Sequence, residues 1–180
     1  MPGPGSRSTQ VVRGQRPVPA VSRSRPLPVL GWREWIALPA LGIDHIKAKV
    51  DTGARTSTLH AFFVDSFQRR GVPWVRFGVH PWQGRTDLAV EAEAPVADRR
   101  LVSDSGGHQE MRYVIRTDVR LGETRWPIEV TLTNRDTMKF RFLLGRTAVR
   151  GRYLVDPMLS FQIGQTPLEM PARVAVRKTL

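Results

Sequence analysis

Val50-Asp51-Thr52-Gly53-Ala54 is the segment whose residue types bear most directly on chemistry. An alternating run leads straight into a carboxylate, a hydroxyl and a glycine, an order that suits an acid held at a strand end on a tight loop. Gly53 lets the backbone approach closely, and Thr52 can hydrogen-bond locally to fix the loop. A carboxylate anchored in this way and facing a second one shares a proton with it. One member can then take a proton from water while the other donates to a carbonyl. The same tripeptide also suits an ordinary turn closing a strand, because Asp and Gly are common turn residues.

Other chemistries find less support. The chain has no Cys, which excludes a disulfide scaffold, a thiolate zinc site and a cysteine nucleophile. The four histidines, His45, His60, His80 and His108, are scattered, and no His-Glu-x-x-His occurs. His108-Gln109-Glu110 comes nearest to a ligand pair, but it has no third neighbour and reads more readily as a surface His in a polar loop. His60, nine positions after Asp51, is either a site residue or a satisfied structural histidine. No Gly-x-x-x-x-Gly-Lys-Ser/Thr loop is present. Neither a metal nor a cofactor is therefore expected.

The elements that must position Asp51 read as strands. In Asp44–Asp51, Ile46, Ala48 and Val50 fall on one face and His45, Lys47 and Lys49 on the other. Val72–Val79 also alternates, and Leu88–Ala94 does so less cleanly. Arg112–Leu121 and Thr124–Thr133 are β-rich runs joined by Gly122-Glu123, a short-hairpin signal. Shorter runs occur at Trp32–Leu38, Phe140–Leu144, Tyr153–Val155 and Ser160–Ile163. Helical periodicity is scarce; the better candidates are His60–Arg70 and a single turn at Arg146–Arg150. Many short strands at close spacing predict an all-β barrel or sandwich. No internal repeat is visible, which argues against a two-lobed duplicated enzyme. Trp32, Trp35, Trp74, Trp82 and Trp126 form no stripe and read as packing residues.

The 180 residues carry 28 Lys plus Arg against 16 Asp plus Glu, a formal charge of +12. Residues 1–28 hold five Arg, six Pro, three Gly and no acid, the composition of a disordered basic arm. Residues 165–180 form a second patternless tail, expected to be flexible. Between the tails, residues 29–164 contain 20 basic and 15 acidic residues, so the single domain is only mildly basic. It shows no stacked-aromatic sheet motif, zinc finger or recognition-helix pattern, and nucleic acid is not an expected partner. No apolar run approaches the roughly 18–20 residues that a membrane-spanning helix needs. No apolar segment follows the first arginines as in a secretory signal, and the lack of Cys fits a reducing compartment. A cytoplasmic location is expected.

About 90 residues after Asp51 comes Phe142-Leu143-Leu144-Gly145-Arg146, two apolar residues and then Gly-Arg behind a β-rich run. Together with the Asp-Thr-Gly-Ala loop, this resembles the retropepsin-like aspartic peptidases. More of the chain is similar to the bacterial retropepsin-like family labelled "ATP-dependent zinc protease" and associated with RimK/LysX. The matching stretches include Leu30-Gly31-Trp32-Arg33-Glu34-Trp35, Leu38-Pro39, Ala48 to Ser57, Leu59-His60-Ala61 and Ser105-Gly106-Gly107. Arg112, Trp126-Pro127-Ile128, Met138-Lys139-Phe140 and Leu143 to Ala148 continue the pattern, so the resemblance covers about residues 29–163.

The resemblance implies an acid-protease barrel with Asp51, Thr52 and Gly53 at the catalytic centre, supported by Gly145 and Arg146. Because Asp-Thr-Gly occurs once, a dyad would need a homodimer setting Asp51 against its own copy. Ala54 and Arg55 would face the substrate. Retroviral enzymes usually carry further acids where this chain has Arg55-Thr56-Ser57. Retropepsins also close a glycine-tipped hairpin over the substrate. Leu101–Tyr113, with Ser105-Gly106-Gly107 at its tip, has that composition, although an ordinary exposed turn would share it. The expected partner is a peptide or protein, and the association with glutamate ligases points to glutamate-modified proteins. Two alternatives stand beside this expectation: a non-catalytic peptide-binding module on the same barrel, and the zinc-dependent hydrolase of the family label.

Overall fold

The computed structural model describes residues 26–103, 107–134, 139–164, 166–167 and, as backbone, 177–178. The strands are β1 (Val29–Leu30), β2 (Arg33–Leu38), β3 (Ile43–Asp51), β4 (Ser57–His60), β5 (Phe63–Arg69) and β6 (Val72–Val79). They continue with β7 (Val90–Ser103), β8 (Gln109–Leu121), β9 (Thr124–Thr133), β10 (Phe142–Gly145), β11 (Leu154–Val155) and β12 (Arg177–Lys178). Helix among the described residues amounts to a 3-10 turn at Pro39–Leu41 and the four-residue α1 (Arg146–Val149). The protein is all-β.

Period-two patterning explains most of these strands. Along β3, Ile43, Ile46, Ala48 and Val50 are buried while Asp44 and Lys49 are exposed. Such alternation suits a sheet with one face on the core and one in water. The main sheet runs β2-β3-β10-β4-β9-β8-β7-β6-β5, and β2 meets β8 again where Ala37 stands opposite Arg120. Six strands thus close on themselves, and β7, β6 and β5 extend beyond them. Phe142 and Leu144 of β10, Leu59, Ile115, Val119 and Val130 lie at the centre of the core. β1 pairs with β11 separately.

Three expectations need correction. His60–Arg70 is not helical: it holds the end of β4 and all of β5, whose partner is β6. The loop residues Arg70 and Gly71 both have positive φ, +52° and +78°, the sign pattern of a tight type I′ hairpin turn. Apolar spacing in so short a run fits either structure, and pairing with β6 decides it. The strand sought at Leu88–Ala94 starts at Val90 and continues for 14 residues to Ser103. Ser160–Ile163 is a series of bends. The hairpin at Gly122-Glu123 is present, with Leu121 opposite Thr124, and so is the turn of helix at Arg146. Within residues 165–180, Arg177 and Lys178 pair with Val90 and Glu91 in parallel.

The bends at 160–164 are held by a carboxylate. Glu34, on β2, is completely buried. Its Oε1 accepts hydrogen bonds from the amides of Gly31 at 2.8 Å and Gln162 at 2.9 Å. Its Oε2 accepts from Ile163 at 3.2 Å and Gly164 at 3.0 Å. A buried carboxylate is tolerable only when its lone pairs are filled in this way. Truncation would leave several buried amides without acceptors. Glu34→Ala is expected to destabilise the protein by about 3–5 kcal/mol, read from urea unfolding. A loss below about 1 kcal/mol would show that the clamp is not needed.

Candidate active site

Asp51 is the last residue of β3 and is half-buried. Its Oδ1 accepts hydrogen bonds from the amides of Gly53 and Ala54, both at 3.1 Å. The carboxylate is therefore fixed by its own loop, as an Asx-type turn requires. Thr52 contributes its backbone: its carbonyl accepts a 3.0 Å hydrogen bond from Nη1 of Arg146.

The loop is also tied from the far side of the sequence. β10 lies parallel to β3, with Gly145 opposite Asp51, and antiparallel to β4. The Gly145 amide donates to Oγ of Ser57 at 3.1 Å. The Arg146 amide donates to the Ala54 carbonyl at 2.8 Å, and the amide and hydroxyl of Thr147 both donate to the Arg55 carbonyl, at 3.1 and 2.9 Å. A methyl group added at Gly145 would lie 2.5 Å from the Thr56 carbonyl carbon and 2.7 Å from the Ser57 nitrogen. The two segments meet backbone to backbone, which only glycine permits. Beneath them Thr58 and Thr131 share a 2.9 Å hydroxyl contact, and Thr131 Oγ1 donates to the Ser57 carbonyl.

Asp51 opens into a cleft of about 740 Å³. One wall is its own loop, with Gly53, Ala54 and Arg55. The other is the β7–β8 hairpin, through Arg100–Ser103 and Arg112, with Thr131 and Thr133 at the base. Leu101–Tyr113 thus belongs to a long hairpin beside the acid. Gly107 near its tip has φ +81°, whereas Ser105 and Gly106 lie outside the described residues. Arg100 and Arg112 are among the cleft residues that sequence spacing did not single out for the site, with Thr58, Thr131, Thr133 and Leu143. Arg112 had a signal, its place in the family pattern. Arg100 had none, because its approach to the cleft depends on strand register.

Ion pairs fix both arginines. Arg112 Nε donates to Glu110 at 2.8 Å, and Thr133 Oγ1 donates to the same carboxylate oxygen at 3.1 Å. Arg100 donates to Asp98 at 2.6 Å and to Glu129 at 2.7 Å. These bonds hold the carboxyls of Asp98 and Glu129 below the usual carboxylate range, with the Arg99 amide assisting at Asp98. His80 stacks on Phe62, His45 lies beside Trp82, and His60 is buried at the end of β4, opposite Thr133. Among the described residues no group of three His, Asp or Glu is placed to hold a metal ion, so the donor set does not fit the zinc of the family label.

Residues 29–166 match the RimB-like family, described as retropepsin-like aspartic endopeptidase RimB. The chain belongs to that family. Among curated relatives, a probable alpha-L-glutamate ligase of Parasynechococcus marenigrum is 52% identical over 136 residues, covering 76% of this chain and 29% of the relative. A protein of the same description from Shewanella pealeana is 48% identical over 137 residues, again 76% of this chain and 30% of the other. The RimB-like chain thus spans under a third of those relatives. A crystal structure of Lpg0085, a Legionella pneumophila protein of unknown function, superposes with a TM-score of 0.62 at 28% identity, covering 75% of this chain and 97% of that one. No helix among the described residues of the RimB-like chain is long and apolar enough to cross a membrane.

Two outcomes test this geometry. Gly145→Ala is expected to cost about 1–3 kcal/mol in denaturant unfolding, because backbone rather than a pliable side chain must move. Asp98 and Glu129 have depressed folded-state pKa values, so their contribution to stability is present above the unfolded values and lost as the pH falls through the folded ones. Stability should therefore decline on acidification below the ordinary glutamate value of 4.5, and Arg100→Gln should make that decline shallower in pH-dependent thermal unfolding.

Proposed function

We propose that the RimB-like chain is an amide hydrolase whose water-activating dyad is Asp51 and Asp51 of a second copy. The observation that carries this reading is the Asp51 carboxylate, held at the mouth of a cleft by two amides of its own loop in a chain with one Asp-Thr-Gly. One carboxylate is half of such a site, and a two-fold axis through the cleft would supply the other half.

In this mechanism a water lies between the two carboxyl groups, which share one proton. The ionised member takes a proton from the water, whose oxygen attacks the amide carbon. The protonated member gives its proton to the carbonyl oxygen. Collapse of the tetrahedral intermediate breaks the C–N bond: the proton taken from water passes to the departing nitrogen, and one hydroxyl of the intermediate returns its proton to the dyad, which leaves an acid, an amine and the shared proton restored. The loop ties from Gly145, Arg146 and Thr147 keep the carboxylate in place, so that little reorganisation is needed at the moment of attack.

The substrate we assign is a glutamate-extended protein or peptide. Its support is that relatives carrying this segment within a longer chain are described as probable glutamate ligases. A hydrolase of the same linkage is the natural counterpart of an enzyme that forms it. Mass spectrometry of a glutamate-tailed peptide incubated with the protein should show glutamate release. Asp51→Asn should reduce the rate by roughly 10³-fold or more. Sedimentation should show dimers at working concentration, and the specific rate should fall on dilution below the dimer dissociation constant. Equal products with Asp51→Asn, or none with either protein, would overturn the hydrolase reading. In the second case, retained binding of the peptide would favour the non-catalytic module.

A further inference from the structure

The β7–β8 hairpin contains an arrangement that strand pairing alone disfavours. Arg100 of β7 and Arg112 of β8 stand directly opposite one another. Like charges at facing positions of an antiparallel pair repel. The repulsion is not relieved by letting the side chains swing into water, since the Arg112 side chain is only 7% exposed and that of Arg100 34%.

Both guanidiniums are built into place in the same way. Each has an acid two residues earlier on its own strand, Asp98 for Arg100 and Glu110 for Arg112, and in each case that acid accepts from Nε. Glu129 of β9 takes a further N–H of Arg100, and Thr133 steadies Glu110. The supporting acids compensate the charges but do not line the cleft, whereas both arginines do. Together with Arg55, they make three arginines lining the cleft against the single carboxylate residue Asp51. Two cations at facing positions of one strand pair, each anchored by its own acid and both lining one cavity, suit a receptor for an anion, and planar guanidiniums favour the two-oxygen geometry of a carboxylate.

We propose that Arg100 and Arg112 form a carboxylate-binding subsite that seats an acidic group of the substrate beside the amide presented to Asp51. The assignment deepens the hydrolase reading above and rests on it for the identity of the scissile bond. The seated group can be a glutamate side chain or the free α-carboxylate at a chain end. The chemistry is shared, and the choice of peptide separates the two.

The test uses the full chain with Asp51→Asn, so that binding is read without turnover. Fluorescence anisotropy is recorded with a labelled tetraglutamyl peptide, its tetraglutaminyl counterpart, and both again with an amidated C-terminus. The tetraglutamyl peptide should bind at least about tenfold more tightly than the tetraglutaminyl one, and Arg100→Gln or Arg112→Gln should each reduce that preference by about tenfold. Weaker binding of both peptides on amidation, with that effect lost in the arginine variants, would assign the subsite to the α-carboxylate; a Glu-over-Gln preference that survives amidation would assign it to the side chain. Arg112→Lys keeps the charge but not the planar fork, and should retain only part of the preference. If Arg112→Gln does not fold, judged by circular dichroism, Arg100→Gln and Arg112→Lys carry the test.

A parent protein that shows neither a Glu-over-Gln preference nor weaker binding on amidation, or folded arginine variants that leave both effects unchanged, would overturn the subsite. Hydrolysis without discrimination would leave the hydrolase reading standing and remove the subsite. Discrimination by a protein that hydrolyses nothing would do the reverse.

Discussion

The site depends on the insertion of β10 between β3 and β4. Four residues, Phe142–Gly145, run parallel to one neighbour and antiparallel to the other. Both neighbours belong to the same stretch of chain, with the Asp51 loop as the connection between them. Drawing them apart far enough to admit a third strand opens that loop, and the residues that follow β10 then secure it. Phe142 and Leu144 are fully buried, so the hydrophobic drive that seats the strand also sets the height at which Gly145 meets Asp51. Position along the barrel and position of the carboxylate are one constraint.

The backbone contact at Gly145 makes that constraint rigid. Arg146 and Thr147 begin α1, where the first amides of a helix have no partner within the helix. Here those amides find the carbonyls of Ala54 and Arg55. An otherwise unsatisfied helix start and an otherwise unsatisfied loop thus complete each other's hydrogen bonding. A similar economy operates at Glu34, where one buried carboxylate terminates four amides from two segments about 130 residues apart. Cation–aromatic contacts reinforce the outer side of that junction, with Arg33 between Trp32 and Phe161 and Lys47 between Trp35 and Phe161. The tryptophans show no stripe in sequence because they pack on separate partners: Trp32 on Phe140, Trp35 on Trp82 and Phe161, Trp74 on Phe67 and Trp126 on Tyr153.

What was legible in the sequence follows from the range of the interactions. β3 and β6 declare themselves because alternation records a local choice between core and water. The Asp51 loop and the Phe142–Arg146 segment were also visible, since each carries its turn chemistry within a few residues. His60–Arg70 misled because Phe63 and Phe67 are spaced as readily for a helix as for a strand, and only the Arg70-Gly71 turn and the β6 partner settle the matter. Ser160–Ile163 looked like a strand, yet it is shaped by Glu34, far away in the chain. The arginine pair was invisible for the same reason. Asp98-Arg99-Arg100 and Glu110-Met111-Arg112 are unremarkable alone, and only the register of β7 against β8 places them face to face.

Charge shows the difference between composition and field. A net +12 suggests a generally cationic molecule, yet the domain between the tails carries a modest excess and spends many of its arginines in ion pairs. What matters to a ligand is which member of each pair faces the cavity. Asp98 and Glu110 of the β7–β8 hairpin and Glu129 of β9 hold the guanidiniums without lining the cleft, so a locally balanced network leaves Arg100 and Arg112, and none of these acids, among the residues that line the cleft with Asp51. Coulomb interactions weaken with distance and as water intervenes, so cations fixed at the cleft count for more there than the net charge suggests. The two tails together carry seven of the twelve net charges, but the short-range field at the Asp51 carboxylate is set by strand register.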